Sequence, residues 1–207
     1  NPGDVERFRA LTIERHCEDL SALIRRFHPG ASIYYNGLTA FGRPQNLRYR
    51  LYRWNTKNDL EDLPTTWGGY DKFPLRAKRF LKEGKPIVAM SGKFHTSWGE
   101  FGGFKSPEAL RYEAASMIAF GSRCNFGDQM HPYGRLDKAT YALVGQAYAE
   151  VEAKEAWCHD VASVADVAFL SVESTKGRGS HVSSGDPDWM VDPGVVRVLQ
   201  EGKFLYD

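Results

Sequence analysis

One stretch, Ile87 to His131, constrains the fold more than any other. It opens with the apolar run Ile87-Val88-Ala89-Met90, bounded by Pro86 and by Ser91-Gly92. A short apolar run between turn signals suits a buried strand. A loop dense in groups that bind or react follows: Lys93, His95, Thr96, Ser97, Trp98 and Glu100. Ser106 and Pro107 then predict a helix, with Ser106 as N-cap and Pro107 in the first helical position. That helix runs to about Ala119, and Gly121 ends it. A second strand, near Ser122 to Phe126, delivers another polar loop from Gly127 to His131. Strand, polar loop, helix, strand, polar loop is how an α/β enzyme sets chemistry at the carboxyl ends of its strands.

The rest of the chain extends this pattern. Asp4 to Phe27 predicts a helix, with Phe8, Leu11, Cys17, Leu20, Leu23, Ile24 and Phe27 mostly three or four residues apart. Ala31 to Tyr35 reads as a strand that ends in the Asn36-Gly37 turn. Residues 38–57 read as a long polar loop with one short helical turn. Asn58 to Leu63 is unusually charged, yet it stands where a strand is due, with Glu61 near its end. Phe73 to Leu81 predicts a helix entered through Pro74. Asp137 opens another that reaches about Glu152, its apolar face carrying Tyr141, Val144, Tyr148 and Val151. Residues 4–152 thus give about half of an eight-fold barrel. Residues 158–207 read as the start of a second α/β domain. Val164 to Val172 is its first strand, 174–188 a flexible loop, Pro193 to Leu199 its helix, and Phe204 opens its next strand. Both ends of the chain look cut.

Composition narrows the function classes. The formal net charge is +1, which gives no reason to expect nucleic acid or an anionic membrane as partner. No apolar window is long enough for a membrane-spanning helix. Cys17, Cys124 and Cys158 are odd in number and far apart, so they suggest buried thiols in a reducing compartment, not a disulfide framework. The expected location is cytoplasmic. No motif asks for a cofactor: GxxxxGK[ST] and GxGxxG are both absent.

The chemistry-bearing residues cluster near predicted strand ends. Glu61, Glu100 and Asp128 are carboxylates at or near the ends of three successive strands. Glycoside hydrolysis needs two carboxyl groups across the scissile bond, one to protonate the leaving oxygen and one to attack or to activate water. The plain alternative is three loop carboxylates, each paired with a nearby Arg or Lys. His95 and His131, with Asp128, have the chemistry of a metal site. No HxxxH or HExxH spacing supports one, and hydrogen bonding to a sugar or a purely structural role serves as well. Lys93 suits a carboxylate or a hydroxyl. Trp67 and Trp98 suit the apolar face of a pyranose, or the packing of their own loops. Ser97 and His95 lack a GxSxG elbow and make no triad.

Three motifs together resemble bacterial glycoside hydrolases of the α-L-fucosidase-like kind. They are Glu61 to Tyr70, Ser91 to Lys105, and Gly127 to Pro132 followed by Gly134 and Leu136-Asp137. In that group the barrel precedes a domain of the β-galactosidase trimerisation type. The resemblance implies the C-terminal half of a (β/α)₈ TIM barrel over residues 1–157. It implies the start of a flavodoxin-like trimerisation-type domain over 158–207. It implies a retaining, exo-acting α-L-fucosidase with a carbohydrate substrate, no cofactor and no metal, forming a homo-oligomer, a trimer, when full-length. Glu61, after the sixth strand, is the implied general acid/base, with Glu100 second. Asn36, Trp67, Lys93, His95, Trp98, Asp128 and His131 are implied to line the sugar pocket. The nucleophile of fucosidase-like barrels, an Asp after the fourth strand, would precede Asn1, leaving this piece inactive alone. Related β-galactosidases carry a nucleophilic Glu after the seventh strand. Here that strand ends at Ser91-Gly92-Lys93, and Glu100 lies further out. A β-galactosidase-like hydrolase and a non-catalytic carbohydrate-binding or assembly protein are the alternatives.

Overall fold

The computed structural model describes residues 1–39, 46, 48–67, 69–172 and 191–207. The chain divides into two compact units. One comprises Asn1–Asp59, Glu83–Pro86 and Val164–Asp207; the other comprises Leu60–Lys82 and Ile87–Ser163.

In the first unit, α1 spans Pro2–Phe27. The Asn1 side chain accepts from the Asp4 amide and the Asp4 carboxylate reaches back, a capping box that starts the helix. Only Ala10, Cys17 and Ser21 of this helix are buried. Of the predicted apolar stripe, Phe8, Leu11, Leu20, Leu23 and Phe27 are exposed. Ala31 to Tyr35, expected as a strand, takes no regular secondary structure and joins no ladder. The physical reason is local. The Ile33 amide donates to Thr56 Oγ1 and the Tyr35 amide to Asn55 Oδ1, both at 2.8 Å. Side chains thus take the donors that a neighbouring strand would have taken. The short helical turn expected in the following loop is a 3₁₀ turn at Leu51–Trp54. Lys85 Nζ binds the carbonyls of Tyr52, Arg53 and Asn55 at its end.

Val164 to Val172, also expected as a strand, makes one parallel bridge, Val167 to Tyr206. The Phe169 amide donates to Asp207 O at 2.9 Å, and the Asp207 amide to Val167 O at 3.0 Å. Val164 and Leu170 are exposed; among the described residues the backbone of this segment pairs with Leu205 to Asp207. The helix between them, α5, spans Val191–Glu201. Asp192 ties it to the preceding segment by accepting from Ser171 Oγ and the Val172 amide. The flexible loop expected at 174–188 lies outside the described residues, as do Arg43 and Gly68.

The remaining elements build a parallel sheet in the order β1-β2-β3. β1 is Asn58–Glu61, β2 is Ile87–Gly92 and β3 is Arg123–Gly127. β2 and β3 pair in parallel, with Val88 opposite Arg123 and Gly92 opposite Gly127. The Asn58 amide binds Pro86 O and the Asp62 amide binds Met90 O, so β1 advances alongside β2 in the same direction. Such pairing needs crossovers, and helices supply them. α2 spans Lys72–Leu81, α3 Pro107–Ala119 and α4 Lys138–Lys154. Ser106 Oγ caps α3 through the Ala109 amide, as predicted, and Gly121 turns the chain at φ +72°.

The second unit's core lies between the sheet and these helices. Leu110, Ala114 and Ala147 are buried together, with Cys124, Phe126, Leu143, Val144 and Val151 packed on them. On α4 Thr140 and Ala147 are buried and Val144 and Val151 partly buried; Tyr141 and Tyr148, expected on the same face, are exposed. Ala89 and Ser91 line a cavity of about 20 Å³ shared with Phe73 and Glu113, room for roughly one water. Helices α2, α3 and α4 therefore all cover one face. Strand alternation puts Val88, Met90, Gly92, Arg123, Asn125 and Gly127 on the other. All three cysteines are free thiols, and burial pushes that of Cys124 up to about 11. Among the described residues no helix is long and apolar enough to cross a membrane.

Candidate active site

The carboxyl ends of β1, β2 and β3 deliver Glu61, Lys93 and Asp128 to the same rim of the sheet. Glu61 is half-buried, and its carbonyl accepts from Arg76 Nη1 at 2.6 Å. Its carboxylate has no hydrogen-bond or ion-pair partner among the described residues. Asp62, next in sequence, turns the other way, into the small cavity on the helix side. Lys72 Nζ stands 3.2 Å from Asp62 Oδ1. Burial holds the Asp62 carboxyl above its ordinary range, opposed by Lys72 and Arg76. Alternation then aims Glu61 toward the face that the helices leave open.

Lys93 is buried, with its side chain 4% exposed and Nζ 3.3 Å from Asp128 Oδ1. Nζ also donates to Thr140 Oγ1 at 3.4 Å and lies 5.0 Å from the Phe104 ring centroid. The Gln129 amide donates to the same Asp128 oxygen at 2.8 Å. Thr140 Oγ1 in turn donates to Asp137 Oδ2, the N-cap of α4, at 2.6 Å. These bonds to Thr140 hold the Asp137 carboxyl below its ordinary range.

The loop after Lys93 folds back on itself around Glu100. Glu100 Oε2 accepts from the Thr96 amide at 2.6 Å and from Thr96 Oγ1 at 2.8 Å. Both bonds favour the ionised carboxylate and pull its pKa below the usual value. A Cβ on Gly103 would fall 2.5 Å from the Glu100 carboxyl carbon, so a larger residue there would push the carboxylate off Thr96. Thr66 Oγ1 donates to Thr96 O and links this loop to the one after β1. Trp98 lies across the strand ends. A Cβ on Gly127 would meet its ring at 2.4 Å, and one on Gly92 at 3.1 Å. Phe94 meets it edge-on at 5.4 Å.

His95 is exposed on this loop, close enough to Glu100 to favour its negative charge. Trp67 is half-buried, with Lys72 Nζ above its ring and bonded to its carbonyl at 3.1 Å. His131 is exposed; its Nδ1 accepts from the Tyr133 amide at 3.3 Å. Asn36 belongs to the first unit, where its Oδ1 accepts from the Gly37 amide at 2.7 Å. Among the described residues no group of three His, Cys, Asp or Glu is arranged to hold a metal, so His95, Asp128 and His131 form no such cluster.

One buried network leaves little trace in the sequence. Lys105 Nζ binds Glu113 Oε2 at 2.8 Å and Ser91 Oγ at 2.7 Å, and Ser91 Oγ donates to Glu113 Oε2 at 2.6 Å. Both charged side chains are almost wholly buried, which fastens the loop's end to β2 and α3. The available signal was Glu113 itself, a charge on the stripe of Leu110, Ala114 and Met117.

No family model matches the chain, and no curated protein matches it. Among solved structures, α-L-fucosidase isoenzyme 2 from Paenibacillus thiaminolyticus is similar, with a TM-score of 0.82 and 44% identity. The match covers 94% of this chain and 28% of that one, so the chain spans a little over a quarter of its relative's length. The resemblance to α-L-fucosidases carried by the three motifs thus extends over nearly the whole chain.

Proposed function

We propose that this chain is part of a glycoside hydrolase, a retaining, exo-acting α-L-fucosidase. The observation that carries the reading is the 44% identity to a fucosidase over 94% of the chain. The structure of the rim supports it. A parallel sheet covered by helices on one face asks for cover on the other, and a closed barrel provides it. We therefore read β1, β2 and β3 as consecutive strands in the C-terminal half of a (β/α)₈ barrel. The segment pairing Val167 with Tyr206 is then the opening of a flavodoxin-like domain of the trimerisation type.

In this reading the substrate sits over the open face, with its reacting bond beside Glu61. Glu61 is the acid/base: its carboxylate is uncommitted, half-buried and aimed at that face. Protonating the leaving oxygen calls for a carboxyl group that keeps its proton near neutral pH. Glu100 is poorly suited, because two Thr96 donors hold it ionised. The nucleophile belongs to the half of the barrel that this chain lacks. It attacks the anomeric carbon, and Glu61 then activates water to release the sugar with its configuration retained. Retention sets the two carboxyl groups about 5–5.5 Å apart. Trp98, across Gly92 and Gly127, offers a ring for the apolar face of the sugar.

The test is hydrolysis of 4-nitrophenyl α-L-fucoside and β-D-galactoside, side by side, by the full-length product and its Glu61→Gln variant. Turnover of the fucoside is expected, with a loss of roughly 10²–10⁴-fold in the variant. Turnover of the galactoside alone would overturn the sugar assignment. Unchanged turnover in the variant would overturn the role of Glu61.

A further inference from the structure

Lys93 has the residue type and the rim position of a sugar-binding group, yet its ammonium is turned inward. Its side chain is 4% exposed, against 17% for Asp128. The rings of Phe104 and Phe94 flank Nζ at 5.0 and 5.7 Å. Its polar contacts are Asp128 Oδ1 and Thr140 Oγ1. With its side chain 4% exposed, the ammonium is turned away from any substrate at the rim. What it does is fix a neighbour. Asp128 Oδ1 is held from two sides, by Lys93 Nζ at 3.3 Å and by the Gln129 amide at 2.8 Å. Asp128 Oδ2 has no partner among the described residues. Thr140, which anchors Lys93, is itself anchored by the cap of α4 through Asp137.

We propose that Lys93 is a positioning residue: it locks Asp128 so that Oδ2 remains the oxygen available to a sugar hydroxyl at the rim. The chain of contacts runs from the α4 N-terminus through Asp137, Thr140 and Lys93 to Asp128, and so ties a helix end to the pocket. This rests on the reading of the rim as a sugar site. The consequence is specific. Removing the Lys93 charge frees Asp128 to rotate, and misplacement on the order of 1 Å in such a group costs about 10²-fold in catalysis. The effect on a sugar should pass through Asp128, the rim carboxylate that the Lys93 ammonium pairs with.

The experiment is a double-mutant cycle in the full-length protein with 4-nitrophenyl α-L-fucoside, comparing Lys93→Met, Asp128→Asn and the double variant. Affinity for free L-fucose, measured by calorimetry, is the second readout. Each single change is expected to lower kcat/KM by about 10²-fold and weaken fucose binding. The double variant is expected to be no worse than Asp128→Asn alone. Additive losses would overturn the proposal, as would wild-type kinetics and fucose affinity in folded Lys93→Met. If Lys93→Met does not fold, Thr140→Val takes its place in the cycle. A loss that vanishes in the Asp128→Asn background supports the proposal, and an additive one overturns it. A wild-type protein that neither turns over the fucoside nor binds fucose would remove the sugar-site reading, and the proposal with it. A wild-type protein that does either leaves that reading standing, whatever the cycle shows.

Discussion

Gly127 and Trp98 show how single residues shape the rim. A methyl group at Gly127 would lie 2.4 Å from the Trp98 ring, well inside van der Waals contact. Gly127→Ala should therefore displace the indole and cost roughly 1–3 kcal/mol in stability. The same change in a Trp98→Ala background should cost much less, and thermal unfolding of the four proteins checks this. Glu100 is the second case. Its folded-state pKa lies below the ordinary carboxylate value, so its bonds to Thr96 contribute stability above that value and lose it as pH falls through the lower one. Glu100→Gln should flatten the acid limb of the stability–pH curve and leave the curve near neutrality parallel to the wild type. The sequence made Glu61, Glu100 and Asp128 visible as rim carboxylates. It did not show which was free. Glu100 is engaged by a residue four positions away and Asp128 by one far off in the chain, and neither contact leaves a periodic trace.

Among the elements, those with strong local signals are where the sequence placed them. α3 begins at Ser106-Pro107 and ends before Gly121, because cap, first-turn proline and positive-φ glycine are written in adjacent residues. Ser106→Ala should cost about 1 kcal/mol, read from denaturant midpoints. The segments at Ala31 to Tyr35 and Val164 to Val172 look like strands by composition. Pairing, though, depends on what lies alongside: side chains of Asn55 and Thr56 in one case, and, among the described residues, Leu205 to Asp207 in the other. The Lys105–Glu113 pair was illegible for a related reason, since it joins a loop end to a helix and buries both charges. Breaking such a pair from one side leaves an uncompensated charge. Glu113→Ala should cost about 3–5 kcal/mol and loosen the loop from Lys93 to Lys105, detectable as faster amide exchange there.

At the scale of the whole molecule, the open face of the sheet is the central feature. Toward the carboxyl ends of the strands, beyond Val88 and Met90, it carries Gly92, Asn125, Gly127 and Glu61, a small and polar set. It suits a barrel lumen that narrows beneath a ligand, which is why we place the chemistry there and the packing on the α2–α4 side. If the second catalytic carboxylate comes from the other half of a barrel, the 207-residue chain alone should show no turnover of an aryl α-L-fucoside while the full-length product does. The most direct test of the account is the product that the Glu61→Gln variant makes from an aryl α-L-fucoside when azide is present, identified by proton NMR. An acid/base role predicts rescued turnover giving α-L-fucosyl azide, because azide replaces the water that Glu61 would have activated and the configuration is retained. The β-anomer would make Glu61 the nucleophile, and no rescue together with undiminished hydrolysis would remove it from the mechanism.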